Sequence, residues 1–163
     1  MPEIHIKHIT VDEDAIDIHQ HLNNQEYLRW MQEIAIEHSS AQGWPMARYL
    51  ASGSSWYVKS HFIDYLRPGL LGDDIIACTW VSGMTERGSP RRTLFLRAHD
   101  QQILARAETQ WIFVSLRNGR PVIIPDELRS AFAVVESEDE VMTKLGSLLR
   151  NECEIRIDAE NIQ

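Results

Sequence analysis

The sequence predicts an α+β fold in which an antiparallel sheet curls around one long helix. Three observations point to it. A strong helix start at Asn23 is followed by apolar residues at helical spacing as far as His38. From Trp56 the pattern changes to two-residue alternation. At least four strand-like runs then follow, and a long apolar helix can be buried by such a set of strands only if the sheet wraps it. A chain of 163 residues suits one domain, with room for an appended segment.

The elements read as follows. Ile4, Ile6 and His8 alternate with more polar residues and form a first strand. Val11 to Gln20 carries four acidic residues without a period and is a connection. Asn23 with Glu26 three residues later gives a capping box, in which each side chain satisfies a free amide of the first turn. Tyr27, Met31, Ile34, Ala35 and His38 form the apolar stripe of the helix, and Leu28, Trp30 and Ile36 broaden it, so the helix is expected to be largely buried. Gly43 and Pro45 end it. Trp56–Tyr65, Ile75–Val81, Thr93–His99 and Ile103–Ser115 are strands, and Val122–Ile124 is a short addition. From Pro125 the chain turns helical and then acidic, with Glu136, Glu138, Asp139 and Glu140 clustered. Val141–Leu149 is a short amphipathic helix, and residues 151–163 are polar and loosely held. There are no internal repeats and no low-complexity tract.

Composition excludes some functions. The net charge of −8 disfavours a general nucleic-acid binder, which needs a basic face. No apolar run approaches the roughly 20 residues that span a bilayer. Met1–Thr10 lacks the apolar centre of a signal peptide, so a cytoplasmic protein without a membrane partner is expected. Cys78 and Cys153 belong to no CxxC pair and read as reduced structural thiols. Charge is uneven: Arg87, Arg91, Arg92 and Arg97 lie within eleven residues. Such a group is usually a solvated hairpin, yet Arg87, Arg91 and Arg92 are the best candidates for contacting the phosphates of a ligand.

Chemistry concentrates in Asp17-Ile18-His19-Gln20-His21-Leu22-Asn23-Asn24-Gln25-Glu26-Tyr27-Leu28. A carboxylate precedes a helix start, and that start offers unpaired N–H groups and a positive dipole end. Such an end polarises a carbonyl and favours an oxyanion. The carboxylate beside it can attack that carbonyl or deprotonate a water. These are the parts needed to hydrolyse an ester or thioester without a metal. His19 and His21 alternate in the loop and invite a zinc reading, with His5, His8 or His61 as further ligands, but no helical His-x-x-x-His or Cys ligand accompanies them. No metal is expected, and His21 reads as orienting the loop. His38 reads as a packed, satisfied histidine. Glu33 is either a second active-site carboxylate or a partner for a polar group. Ser52, Ser54 and Ser55 form no Gly-x-Ser-x-Gly, so a serine triad is unsupported.

The stretch Asp-x-x-x-His-Leu-Asn-Asn-x-x-Tyr-Leu, with Glu33 inside the helix, resembles the 4-hydroxybenzoyl-CoA thioesterase group of hotdog-fold acyl-CoA thioesterases. Tyr65-Leu66-Arg67-Pro68-Gly69, Gly72-Asp73, Ala105-Arg106-Ala107, Trp111–Val114, Arg120-Pro121 and Ile124-Pro125 follow in the family's order. The resemblance covers about residues 3–133. It implies a hotdog domain over residues 1–135; residues 136–163 lie outside the resemblance and are expected to form an acidic C-terminal helical extension that packs on the surface or extends an interface without supplying catalytic groups. It implies an acyl-CoA substrate, no cofactor, and a homodimer or homotetramer with sites at subunit interfaces. It also implies Asp17 as the catalytic carboxylate and Asn24 as the residue whose backbone N–H polarises the thioester carbonyl. His21, Asn23, Tyr27 and Glu33 then line the substrate site, with Arg87, Arg91 and Arg92 for the CoA. One departure is Gln20, where many members have glycine. Two other classes stand beside this reading. A hotdog hydratase or dehydratase would need a His-centred signature such as Asp-x-Asn-Pro-x-His, whose Asn-Pro step is missing here. A non-catalytic acyl-CoA or acyl-carrier-protein binder would have no use for Asp17.

Overall fold

The computed structural model describes the backbone of residues 3–160 and the side chains of residues 3–151. In chain order the elements are β1 (Ile4–Thr10), a 3-10 turn (Glu13–Ala15), α1 (Asn24–Ala41), α2 (Met46–Ser52), β2 (Ser54–Tyr65), β3 (Asp74–Val81), β4 (Gly88–Arg97), β5 (Ile103–Ser115), α3 (Asp126–Ser130) and α4 (Glu138–Glu160). The five strands form one antiparallel sheet in the order β1-β3-β4-β5-β2, which leaves β1 and β2 as its edges.

Burial of α1 explains the sheet's shape. Tyr27, Trp30, Met31 and Ile34 face Ile75, Ala77, Phe95, Ala105 and Ala107 on the inner surface of the sheet. Small alanines on neighbouring strands let the helix sit close to the backbone, and the aromatic rings fill the space between. Tyr27 stacks edge-on against Phe95 at 4.9 Å between centroids. The helix is less fully buried than its sequence suggests. Leu28 and Ile36 are more than a third exposed, because the 3.6-residue period turns them away from the stripe that meets the sheet.

Farther along α1 the inner face changes character. Thr79 and Thr93 are buried opposite each other on β3 and β4, and Thr109 is buried on β5 opposite Arg91. Thr79 Oγ1 lies 3.1 Å from Thr93 Oγ1, and Thr109 Oγ1 lies 2.8 Å from His61 Nδ1. This polar belt, with Arg91 and His38, separates the first apolar cluster from a second built by Trp44, Tyr49, Val81, Phe113, Ile124, Leu128 and Phe132.

The outer face of the sheet is covered by α4. Val141 and Leu145 pack on Ile4, Ile76, Cys78, Trp80, Leu94 and Leu96, together with Val135. Strand β3 is therefore buried on both faces from Ile75 to Val81, which accounts for a run of apolar residues broken only by Thr79. Ion pairs from Arg106 to Glu138 at 2.9 Å and from Lys144 to Glu3 tie the helix to the sheet and to the start of β1.

Several sequence expectations need correction. Strand β4 starts at Gly88, five residues before Thr93; Pro90 and two arginines mask its pattern, yet the ladder to β5 runs through them. Val122–Ile124 is no strand: an isolated bridge from Val114 to Pro121 and two backbone bonds, from the Val122 N–H to Phe113 and from the Ile124 N–H to Glu86, hold it without a continuous ladder. Helix α2 lies beyond Pro45, where the sequence shows only the end of α1. Helix α4 runs from Glu138 to Glu160, past the Val141–Leu149 segment and through most of the stretch expected to be loose. Residues 161–163 lie outside the described residues, as does the side chain of Cys153. Cys78 is a buried free thiol, and burial pushes its pKa up to about 12. No helix among the described residues is long and apolar enough to cross a membrane.

Candidate active site

The loop between the 3-10 turn and α1 is pinned at both ends by backbone bonds. The Asn23 N–H donates to the Ala15 carbonyl at 2.7 Å, and the Asp17 N–H to His21 at 2.8 Å. The Leu22 N–H donates to Gly69 at 2.8 Å, which fastens the loop to the segment after β2. Gly69 is needed for that approach: a Cβ there would lie 3.0 Å from Leu22 Cβ and Cδ2. Gln20 adopts φ 63, the left-handed region that glycine occupies without cost. A glycine would hold this turn without strain, whereas Gln20 holds it as a non-glycine residue in the left-handed region.

Within this turn Asp17 Oδ1 accepts the N–H groups of His19 at 2.8 Å and His21 at 3.1 Å. Oδ2 has no hydrogen-bond partner among the described residues. Burial raises the pKa of this carboxyl, but the two amide bonds and the imidazoles of His19 and His21 outweigh it, and the net shift is downward. Asp17 is thus ionised at neutral pH, with one oxygen held and one available.

Six residues later the chain enters α1. The Asn23 side chain caps by accepting the Gln25 N–H at 3.0 Å, and its carbonyl accepts the Glu26 N–H. The expected capping box is only half formed, because the Glu26 carboxylate turns instead to Arg29. The cap leaves the Asn24 N–H without an acceptor among the described residues. Asp17, His21, Leu22, Asn24 and Tyr27 line one cleft of about 320 Å³, closed on its other side by Tyr65–Gly69. Tyr27 is buried, in contact with Tyr65, and its hydroxyl pKa is raised by burial, so it is a neutral phenol.

Of the residues singled out in the sequence, this cleft unites Asp17, His21, Asn24 and Tyr27, with Asn23 behind them as the cap. It excludes Glu33, which is paired with Arg29 at 3.1 Å and Lys7 at 3.7 Å on the surface of α1. The arginines do not form one basic rim. Arg87 is exposed before β4. Arg92 sits on the outer face of the sheet, 3.6 Å from Glu108. Arg91, on the inner face, is only 7% exposed, not a solvated hairpin residue. The strand's two-residue alternation sends neighbouring arginines to opposite faces. The cation that does line the Asp17 cleft is Arg67. The sequence pattern treats Arg67-Pro68-Gly69 as a strand break; the clue to its role is that this break must meet the Asp17 loop for Leu22 and Gly69 to bond. Among the described residues no group of three or more His, Cys, Asp or Glu side chains is placed to hold a metal ion.

A second, larger cavity lies at the other end of α1. It occupies about 440 Å³ between the C-terminal half of α1, helix α2 and strands β2, β4 and β5. Its wall is mostly aromatic and apolar, with Arg91 as its single charged residue.

Residues 11–132 match the family model described as Thioesterase-like superfamily. A segment of 74 residues, 45% of the chain, is 35% identical to the chloroplastic acyl-[acyl-carrier-protein] hydrolase FATB3 of Cuphea viscosissima, but spans only 18% of that protein. Over 117 residues the chain is 23% identical to the long-chain acyl-CoA thioesterase FadM of Escherichia coli, covering 70% of this chain and 86% of that one. The 1,4-dihydroxy-2-naphthoyl-CoA thioesterase Slr0204 of Synechocystis superposes with a TM-score of 0.72 at 16% identity, covering 78% of this chain and 94% of that one. The sheet wrapped on a long helix is thus the hotdog fold.

Proposed function

The chain belongs to the Thioesterase-like superfamily, and from that premise we propose that it hydrolyses the thioester bond of an acyl-CoA, with the carboxylate arrangement of the 4-hydroxybenzoyl-CoA thioesterase group. The observation that carries this reading is the shared cleft of Asp17 and Asn24: a carboxylate with a free oxygen beside a helix-start N–H with no acceptor. The thioester carbonyl accepts from the Asn24 N–H. Asp17 Oδ2 either attacks that carbon or takes a proton from a water that does. The oxyanion formed is stabilised by the N–H and the helix dipole, then collapses and expels the CoA thiolate, which leaves as the thiol after taking up a proton; where Asp17 itself attacks, water then cleaves the resulting mixed anhydride to free the acid and restore the carboxylate. Both routes need Asp17 ionised, as its lowered pKa ensures. Arg67, on the rim of the same cleft, is the cation we assign to the anionic part of CoA. The free carboxylate oxygen at the polarising N–H favours hydrolysis over passive binding.

Assembly follows from the edge strand. Strand β2 presents a twelve-residue edge bearing Tyr57 and Phe62, both at least half exposed. Such an edge is a template for a second strand. Two-fold pairing of β2 with a second copy over its full length sets Tyr57 opposite Phe62 and Ser54 opposite Tyr65. The Asp17 cleft of one copy, walled by Tyr65–Gly69, then meets the larger cavity of the other, walled by Ser55–Val58. The acyl group extends from the thioester into that cavity, and the active unit is a homodimer or a pair of them.

Asp17→Asn tests the reaction. It keeps an oxygen to accept from His19 and His21 and removes only the charge. Turnover is expected to fall by about two to four orders of magnitude, with acyl-CoA binding retained. Hydrolysis of the best acyl-CoA at the wild-type rate would remove Asp17 from the mechanism.

A further inference from the structure

The larger cavity contains an unexplained charge. Arg91 stands in a wall rich in large apolar side chains, among them Trp44, Trp56, Trp111, Phe132 and Met84. Its Nη1 bonds to His38 Nδ1 at 3.0 Å and to Thr79 Oγ1 at 3.3 Å. Its Nη2 and Nε donate to nothing among the described residues, and no carboxylate there lies within ion-pair distance of it. Arg91 Cζ lies 6.0 Å from the centroid of the Phe132 ring, and the Tyr49 hydroxyl interacts with it electrostatically, but burial raises the Tyr49 pKa, so neither supplies a counter-charge. Burial pushes the Arg91 guanidinium down to about 10, which still leaves it cationic at neutral pH.

A buried cation without a counter-charge is expensive, and two neutral hydrogen bonds do not compensate for it. The free Nη2–Nε edge has the planar two-donor geometry that matches a carboxylate. Most of the remaining wall is apolar, with Ser39, Ser55 and Ser89 among its few polar groups, which suits methylene groups better than a heavily hydrated phosphate. We propose that this cavity receives the distal end of the acyl group and that this end carries a carboxylate, so that the preferred substrates are ω-carboxyacyl thioesters held at Arg91. The proposal rests on the thioester-hydrolase reading and adds the substrate class to it. The carboxylate pairs with Arg91 while the thioester end of the chain reaches Asp17.

The test compares acyl-CoAs of matched length, such as octanoyl-CoA and octanedioyl-CoA, with shorter and longer pairs, on the full-length protein. Wild type is expected to show a kcat/KM at least about tenfold higher for the carboxylated member at the best length. Arg91→Met should lower the ratio between the two members by about 10- to 100-fold, while Arg91→Lys should keep a preference for the carboxylated one. A merely structural role for Arg91 would lower both members together and leave the ratio unchanged. That result, or a wild-type preference for the plain acyl chain at every length, overturns the proposal. If Arg91→Met does not fold, the wild-type ratio and the lysine variant decide. Absence of turnover on every thioester would instead refute the hydrolase reading. Calorimetry with free octanedioate and octanoate then judges the cavity by itself: tighter binding of the diacid supports the proposal, and equal or no binding overturns it.

Discussion

Leu145→Ala probes how far α4 belongs to the fold. Leu145 is 2% exposed and Val141 fully buried, and beneath them lie Trp80, Leu94 and Leu96, each at most 1% exposed. The substitution removes three carbons from a closed contact. At about 0.8 kcal/mol per buried methylene, the transfer loss alone is about 2.4 kcal/mol. The sheet below is rigid and the helix is tethered by the Arg106–Glu138 and Lys144–Glu3 pairs, so the hole closes only in part. A total of about 2.5–4 kcal/mol follows. For a domain of this size that lowers Tm by about 5–15 °C. The assay is thermal unfolding by circular dichroism, paired with hydrolysis measured well below the transition. Turnover per folded molecule should stay at the wild-type level, because the Asp17 cleft lies on the far side of the sheet. A Tm unchanged within about 2 °C would refute the packing argument. Lost turnover in a folded variant would show that α4 acts on the site. By the same reasoning, a chain ended before Glu138 bares Trp80, Leu94 and Leu96 and is expected to aggregate.

Three further predictions bear on the site. Asn24→Pro deletes the proposed oxyanion donor at a first-turn position where proline fits, since Asn23 is already extended at φ −65, ψ 129. It should lower kcat by about 10²–10³, and a loss no greater than that of Asn24→Ala would dismiss the N–H. The pH profile of kcat/KM follows from the lowered Asp17 pKa: the ionised form is active, so the rate should hold down through the ordinary carboxylate range and fall only below it. An acid limb near pH 6 would assign the titration to another group. Phe62→Lys on the β2 edge should shift the protein to monomer in light scattering and cut turnover with it; a fully active monomer would contradict the shared site.

The sequence reading reached α1 and the strands because their periods are set by burial on one face. Asp17, His21, Asn24 and Tyr27 fall in one cleft because a loop, a cap and a helix start are local in sequence, so their proximity is legible there. The reading failed where position depends on distant packing. Strand β4 begins five residues before its apolar pattern does, because ladder bonds to β5 hold Pro90 and the arginines in place. Arg91 and Arg92 are adjacent in sequence but lie on opposite faces of the sheet, which no charge count reveals. Arg67 reaches the cleft only because Gly69 bonds Leu22 across more than forty residues. The length of α4 is hidden because charged and polar residues interrupt its apolar stripe, in which Val141 and Leu145 are buried and Met142 and Leu149 partly buried.

The polar belt of Thr79, Thr93 and Thr109 divides the concave side of the sheet into two compartments. One holds the rings that brace the start of α1, and the other shapes the cavity at its far end. Damage in one compartment has little apolar contact through which to spread to the other. Paired substitutions across the belt should therefore combine additively. Such a protein can drift in the length or bulk of what it accepts while its bond-breaking geometry stays fixed, so selectivity and chemistry are free to vary on separate clocks.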